Sequence, residues 1–216
     1  VIQRLFQIGV PIPEIDTLLL THLHSDHVVG IPDLWLTGWV FGRRRPFRVW
    51  GPDGTARMMS HLEEAFHDDI HIRRDLDEKF PAEGIEVAVR EIQEGVVYEQ
   101  DGMRITAFDV DHRPVVPALG FRIDYSGRSV VLSGDTRYSE NLVSFAQGAD
   151  LLVHEVIAPE AVGVRRRAAG SDDETTRRIV GHHTTPQQAG EIFSRIGPRL
   201  AVYSHIVGGP GCDEEV

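Results

Sequence analysis

The sequence predicts an α/β fold, and two observations support this prediction. Short apolar runs recur along the chain and are typical of buried strands, whereas other segments have the apolar spacing of helices. Four apolar runs lead directly into a histidine or an aspartate, at His22, Asp135, His154 and His205. In layered α/β proteins, ligands gather at strand ends because the loops there meet at one edge of a sheet. We therefore expect a polar site at a sheet edge.

In the first part of the chain, strand patterns are followed by a helix pattern. Ile15–Thr21 and Arg48–Gly51 are short apolar runs that predict buried strands, and the second is closed by the turn Gly51-Pro-Asp-Gly54. Thr55–Phe66 has apolar residues at helical spacing, which predicts a helix with one face against the core.

From Ile85 onward the pattern is dominated by strands. The predicted strands are Ile85–Val89, Val96–Tyr98, Met103–Val110, Leu119–Tyr125, Ser129–Leu132, Leu151–Val153 and Arg199–Tyr203. A helix is predicted over Thr185–Ile196, with Thr185 as its N-cap and proline at the first helical position. Neither an internal repeat nor a linker divides the sequence, so residues 1–216 are predicted to form a single domain.

Composition excludes some classes of protein. The chain has 216 residues, 41% of them hydrophobic, and a formal net charge of −11, which argues against a general nucleic-acid binder. The one cysteine excludes an internal disulfide, and we expect no membrane span because long apolar stretches are lacking. The sequence begins with a valine in an apolar pattern, so we expect segments to be missing at the termini. The compartment stays open, with the cytoplasm favoured, and a homo-oligomer stays among the alternatives.

The strongest motif is His22-x-His24-x-Asp26-His27, at the end of the first predicted strand. Side chains two residues apart project to the same side of an extended segment, so His22 and His24 can bind one cation together. Asp26 and His27, after a turn, can face a second cation. Imidazole and carboxylate ligands favour zinc, with manganese and iron as alternatives.

Three further residues are expected to complete a pair of metals. His112 would add a third histidine to the first metal, His205 would complete the second, and Asp135 can bridge two metals. Taken singly, each has a simpler interpretation, as a buried histidine bonded to the backbone or as an aspartate in a turn. Their positions near predicted strand ends favour the metal site.

These motifs resemble those of the metallo-β-lactamase superfamily, and most closely its ribonuclease Z and arylsulfatase-like branch. The supporting segments are Thr21–His27, His112 with Ala118–Arg122, Ser133–Thr136, Leu151–Glu155, His183–Ala189 and Ser204–His205. The resemblance covers nearly the whole chain. It implies a four-layer αββα sandwich with a two-metal site at one edge, truncated at the N-terminus.

The resemblance also implies two groups that act beside the metals. Glu155 and His183 match the family's pair that protonates the leaving group, and the Thr-Thr-Pro register favours His183 over the adjacent His182. A carboxylate orients an imidazole and raises its basicity, which makes it a proton donor near neutral pH. For His154, the sequence leaves two alternatives, a structural role and a role in the site.

The predicted activity is the zinc-dependent hydrolysis of phosphodiester or sulfate esters, with a metal-bridging hydroxide as the nucleophile. Asp26, bound to one metal, is expected to orient the remaining proton of that hydroxide. Family members that process tRNA carry a long arm between the third metal motif and the bridging aspartate. Only residues 113–134 lie between His112 and Asp135, so a small anionic ester is favoured over RNA. The clusters Arg43–Arg45 and Arg165–Arg167 could hold an anion, although solvated loop charge is the simpler interpretation.

Two other functions compete with this one. A lactonase, a thioesterase or a β-lactamase could use the same fold, although zinc β-lactamases generally lack the bridging aspartate. A non-catalytic metal-stabilised or RNA-binding module is an alternative of another class. The Glu155–His183 pair argues against the module, because a purely structural metal would not need it.

Overall fold

The computed structural model describes residues 1–208 and Cys212. The chain divides into two compact units, Val1–Ile92 and a second that begins at Gln93. Each unit contains one β-sheet with helices, which agrees with the predicted α/β class. Within the described residues, no helix combines the length and the apolarity that a bilayer span requires. The single domain over 1–216 stays a prediction.

The first unit is built on a parallel sheet in the order β1-β2-β3. Its elements are α1 (Ile2–Gln7), a 3₁₀ turn (Ile12–Glu14), β1 (Thr17–Leu19), α2 (Ser25–Val28), α3 (Ile31–Val40), β2 (Phe47–Gly51), α4 (Thr55–Ala65), α5 (His67–His71), a π-helical turn (Ile72–Leu76), a 3₁₀ turn (Ala82–Gly84) and β3 (Val87–Glu91). The predicted strand over Arg48–Gly51 and the helix over Thr55–Phe66 are present close to their predicted bounds. The strand predicted over Ile15–Thr21 is shorter, because its pairing with β2 ends at Leu19.

Two tryptophans of α3 form the centre of this unit's core. Trp35 and Trp39 are fully buried together with Phe47 of β2. Their indole N–H groups donate to the carbonyls of Ile85 (2.9 Å) and Pro81 (2.8 Å), so their burial leaves no indole donor unpaired. The core thus fixes β2, and β2 in turn fixes the end of β1, from which the histidine motif starts.

The second unit contains a six-stranded sheet in the order β4-β5-β6-β7-β8-β9. Strands β4 to β7 are antiparallel, whereas β7, β8 and β9 are parallel. The elements are β4 (Gly95–Gln100), β5 (Met103–Asp109), β6 (Leu119–Tyr125), β7 (Arg128–Leu132), α6 (Glu140–Phe145), β8 (Leu151–Ile157), α7 (Pro159–Ala168), α8 (Asp173–Val180), α9 (Pro186–Ile196) and β9 (Leu200–Val207).

Sequence predicts the start of α9 well but not the ends of β8 and β9. Thr185 caps α9 in a capping box with Gln188, whose side chain accepts from the Thr185 N–H at 3.0 Å. Strands β8 and β9, however, continue beyond their predicted ends, because their parallel pairing extends to Ile157 and Val207. His154 and His205 therefore lie inside strands, and the expectation that they end strands is wrong.

A tight hairpin joins β6 to β7. Its two connecting residues, Ser126 and Gly127, have positive φ values of 49° and 74°. Two left-handed residues in succession are typical of the turn that matches the twist of paired strands. Residues 113–134, all of which the structure describes, thus hold a loop and this hairpin but no extended arm.

Candidate metal centre

The predicted ligands of the first unit lie on one short segment after β1. His22 is fully buried, and the backbone is extended at His24 (φ −62°, ψ 147°) before α2 begins. The ring centroid of His22 lies 4.8 Å from that of His24 and 4.2 Å from that of His27. Asp26, in the first turn of α2, has its Oδ2 atom 3.6 Å from His27 Nε2. The segment therefore brings three imidazoles and a carboxylate together.

Asp135 is the centre of the corresponding cluster in the second unit. It follows β7 and is buried, with 2% of its surface exposed. Its Oδ2 atom lies 4.0 Å from His112 Nε2, and its Oδ1 atom lies 3.5 Å from His205 Nδ1. The two oxygens of one carboxylate therefore face two different histidines.

The backbone fixes which nitrogen of His112 can bind a metal. Its Nδ1 atom lies 2.9 Å from the carbonyl oxygen of His182. A carbonyl can only accept a hydrogen bond, so Nδ1 carries the hydrogen and Nε2 carries the lone pair. That lone pair belongs to the nitrogen that faces Asp135.

His205 and His183 approach the same carboxylate from two other elements. His205 lies in β9, and its backbone has a φ of 49°, in the left-handed region. His183 follows α8, and one ligand atom each from Asp135, His183 and His205 lies within 4.8 Å of the others. By distance alone, His183 could serve as a metal ligand as well as a proton donor.

Glu155 orients His183 from inside β8. Its Oε1 atom accepts from the backbone N–H groups of Thr136 (3.0 Å) and Thr184 (3.1 Å) and from His183 Nδ1 (3.2 Å). Burial raises the pKa of Glu155, and the hydrogen bonds from His183 and Thr136 oppose that increase. Sequence reasoning found the carboxylate and the imidazole but not the two threonine N–H groups that hold the carboxylate in place.

A network beside the cluster was also missed from the sequence. Asp111 accepts from Arg113 Nε at 2.9 Å and lies 3.9 Å from Arg137 Nη1. The hydrogen bond from Arg113 is the largest influence that lowers the pKa of Asp111 to about 2. Arg137 Nη2 also donates to the Arg113 carbonyl at 2.9 Å. These contacts tie the loop of His112 to that of Asp135. The sequence did contain a signal for them, since each of the three residues lies within two positions of a predicted ligand.

Arg43 differs from both interpretations of its arginine cluster. Arg43 is only 1% exposed, so it is neither solvated nor accessible to an anion. Its guanidinium donates to the carbonyls of Trp35 (2.5 Å) and Gly84 (3.2 Å). Arg165 and Arg167 are exposed in the last turn of α7, as expected for solvated charge.

The chemistry of the ligand set fits a divalent transition metal. Imidazole nitrogens and carboxylate oxygens are the ligands that zinc prefers beside thiolates, and calcium and magnesium prefer oxygen alone. The tautomer of His112, set by a backbone carbonyl, is typical of metal-bound histidines.

Comparisons with known proteins support the family that the motifs predict. The family model of the Beta-lactamase superfamily domain matches residues 3–206. A ribonuclease Z of Mycolicibacterium gilvum (strain PYR-GCK) is 38% identical over 217 residues, which cover 96% of this chain and 71% of the relative. A ribonuclease Z of Mycobacterium avium (strain 104) is also 38% identical, over 96% of this chain and 72% of the relative.

Solved structures share the fold. The short form of human tRNase Z matches with a TM-score of 0.70 at 22% identity, over 95% of this chain and 78% of that one. The Bacillus subtilis protein YhfI, described as a metallo-beta-lactamase fold protein, matches with a TM-score of 0.67 at 20% identity, over 98% and 73% of the two chains. These matches confirm the predicted metallo-β-lactamase fold. The chain thus belongs to the beta-lactamase superfamily and, within it, to the ribonuclease Z family of metal-dependent hydrolases.

Proposed function

We propose that this hydrolase is a phosphodiesterase that uses two zinc ions, with Asp135 as the ligand common to both. The observation that carries the proposal is the division of the Asp135 carboxylate, whose Oδ2 lies 4.0 Å from His112 and whose Oδ1 lies 3.5 Å from His205. Each oxygen of the carboxylate thus faces an imidazole that could bind a metal of its own. Bridging carboxylates of this kind are typical of two-metal hydrolases.

The remaining ligands are assigned from the motifs. The first metal would be held by His22, His24 and His112, and the second by Asp26, His27 and His205. Support comes from the grouping of the imidazoles of the first unit, from the two histidines that face Asp135 in the second, and from membership of the family. We also propose, as the sequence predicts, that residues 1–216 work as one catalytic domain.

The chain's own residues would divide the acid–base work. When bound, the metal pair supplies Lewis acidity, which makes water a nucleophile near neutral pH and offsets negative charge on the phosphate. Asp26 would accept the proton of the attacking water, and its exposed carboxylate can reach solvent to release it. His183 would donate a proton to the departing oxygen, with its ring oriented by Glu155.

The proposed substrate class is a phosphodiester, and the two candidates within it are RNA and a small diester. The relatives described above are ribonucleases Z, which supports RNA as the substrate. The short hairpin at Ser126 and Gly127 and the net charge of −11 favour a small phosphodiester instead. A sulfate ester has the same tetrahedral geometry and stays a weaker alternative.

One experiment tests the proposal directly. Metal content is measured by mass spectrometry on the zinc-loaded protein and on Asp135→Ala, and both are assayed on bis-p-nitrophenyl phosphate, p-nitrophenyl sulfate, a lactone, a thioester, a cephalosporin and an RNA hairpin with a 3′ extension. We expect two zinc equivalents and diester hydrolysis in the wild type, and the loss of at least one equivalent and of activity in the variant. Two zincs and normal turnover in Asp135→Ala would refute the shared ligand, and bound zinc without hydrolysis of any substrate would favour a non-catalytic module.

A further inference from the structure

Strands β8 and β9 change their register next to the metal cluster. Glu155 is paired with Ser204, but the next residue, Val156, is paired with Ile206. His205 is thus an extra residue in β9, and its left-handed φ of 49° is part of this bulge. The left-handed conformation is strained for a residue other than glycine, so the surrounding structure must hold His205 there.

His154 lies at the point where the register changes. Its ring is fully buried, and its Nδ1 atom lies 2.6 Å from the backbone carbonyl of Glu155, the last residue before the shift. Since the carbonyl can only accept, Nδ1 donates the hydrogen bond. The edge of the ring also packs on Phe193 of α9, with the centroids 6.0 Å apart.

The Nε2 atom of His154 shows why the hydrogen bond from Nδ1 matters. Within residues 1–208 and Cys212, the Nε2 atom of His154 has no hydrogen-bond partner although it is buried. A buried polar atom without a partner is costly, and an apolar residue of similar size would avoid that cost. The Nδ1 contact is therefore the polar function that the structure assigns to this side chain.

From this geometry we propose that His154 is a positioning residue, whose hydrogen bond to the Glu155 carbonyl holds the bulge that directs His205 toward Asp135. The inference rests on the proposed function, because it takes His205 and Asp135 as metal ligands. The same peptide segment carries the Glu155 carboxylate, so the bulge also affects the orientation of His183. His154 itself contacts neither the substrate nor the metals in this scheme.

Two amide variants separate the hydrogen bond from simple packing. In His154→Asn the side-chain N–H can occupy the place of Nδ1, whereas in His154→Gln the amide reaches one bond further and misses the carbonyl. His154→Leu removes the donor but keeps an apolar side chain against Phe193. As a packing control, Phe193→Leu disturbs the same contact without touching the hydrogen bond.

The main measurement is the affinity of each of the two metal equivalents, determined by competition with a chelator. We expect His154→Asn to bind both equivalents as the wild type does. His154→Gln and His154→Leu should bind one equivalent about 10–100-fold more weakly, the range typical of groups that orient a metal ligand. Visible spectra of the cobalt-substituted proteins should change in the same two variants, and the melting temperature of each metal-free protein records any general loss of stability.

Several outcomes would overturn the inference. One is wild-type affinity for both equivalents in His154→Leu, and another is an equal loss in His154→Asn and His154→Leu. A Phe193→Leu protein that matched His154→Leu in both stability and metal affinity would assign the effect to packing alone. Failure of the wild type to bind metal would overturn the proposed function as well, whereas metal binding that is insensitive to His154 overturns only this inference.

Discussion

The two units supply their predicted ligands in different ways. In the first unit, His22, His24, Asp26 and His27 are neighbours in the chain, and a strand end and one helical turn suffice to group them. In the second unit, His112, Asp135 and His205 come from distant parts of the chain, and only the pairing of the six-stranded sheet brings them together. The first group depends on local backbone geometry, and the second depends on tertiary structure. Substitutions in the two groups should therefore fail in different ways.

The largest contrast is expected between Asp135→Ala and Asp26→Ala. Asp135 is buried between two histidines, so its loss should remove metal as well as lower kcat/KM by about 10³-fold or more. Asp26 has 65% of its side chain exposed and lies beside His27, so its loss should lower kcat strongly while more of the metal stays bound. Metal content and kinetics measured on the same samples distinguish the two, and equal metal loss in both variants would break the comparison.

The next contrast lies within the second unit, between His183→Ala and His182→Ala. His183 is held by Glu155 as a proton donor, so its loss should lower kcat by about 10²–10⁴-fold. His182 contributes its backbone carbonyl to His112, and alanine keeps that carbonyl, so the loss should be less than about tenfold.

The leaving group sharpens the test of His183. A p-nitrophenolate leaves without protonation, whereas an alkyl or ribose oxygen needs a proton. His183→Ala should therefore lose more activity on a diester with a poor leaving group than on bis-p-nitrophenyl phosphate. Equal losses on both would indicate that His183 binds metal instead, a role that its distance from Asp135 and His205 would permit.

The difference between the units also explains what sequence could predict. The local motif of the first unit was found from spacing alone, as was the cap of α9 at Thr185, because both depend on residues within one turn or one strand. The residues of the second cluster were also named, yet their setting was partly wrong. Periodicity cannot reveal that β8 and β9 pair beyond His154 and His205, nor that a bulge reorients His205, since both depend on the partner strand.

Other elements were missed for different physical reasons. The sequence of α3 (Ile31–Val40) is apolar on most of its surface, so it lacks the contrast between two faces that marks a surface helix. Arg43 is the first of three consecutive arginines, and the sequence contains no signal that it is buried while Arg44 and Arg45 are exposed. Its burial follows from backbone carbonyls that only the folded unit brings together.

Arg43 provides a stability test for the first unit alone. Burial lowers its pKa to about 10, so it stays charged at neutral pH and depends on the carbonyls of Ile15, Trp35 and Gly84. Arg43→Met should lower the free energy of unfolding by about 2–4 kcal/mol, because it removes the charged donor that these buried carbonyls accept from. Arg44→Met, at the adjacent exposed position, should change it by less than about 0.5 kcal/mol. Denaturant unfolding of the metal-free proteins measures both, and equal effects would mean that the buried contacts add nothing.

The smallest expected effect concerns the pH dependence of the same unit. Asp16 contacts Arg48 Nη2 at 2.7 Å and Arg45 Nε at 3.1 Å. Burial alone would raise the pKa of Asp16, but the hydrogen bonds from Arg48 and Thr17 outweigh it, and the pKa is lowered in the folded protein. Because the folded pKa lies below the unfolded value of about 3.9, the stabilisation is complete above that pH and is lost as the pH falls through the folded pKa.

Asp16→Asn should therefore be less stable than the wild type by about 1 kcal/mol near neutral pH, and the gap should narrow as the pH falls below about 4. Metal-free protein is used so that proton uptake by the proposed ligands is common to both chains and cancels in the difference. Asp53→Asn, at an exposed acid of the same unit, is the control and should change stability by less than about 0.5 kcal/mol. A gap that stayed constant with pH would mean that Asp16 stabilises the unit through its shape and its neutral hydrogen bonds.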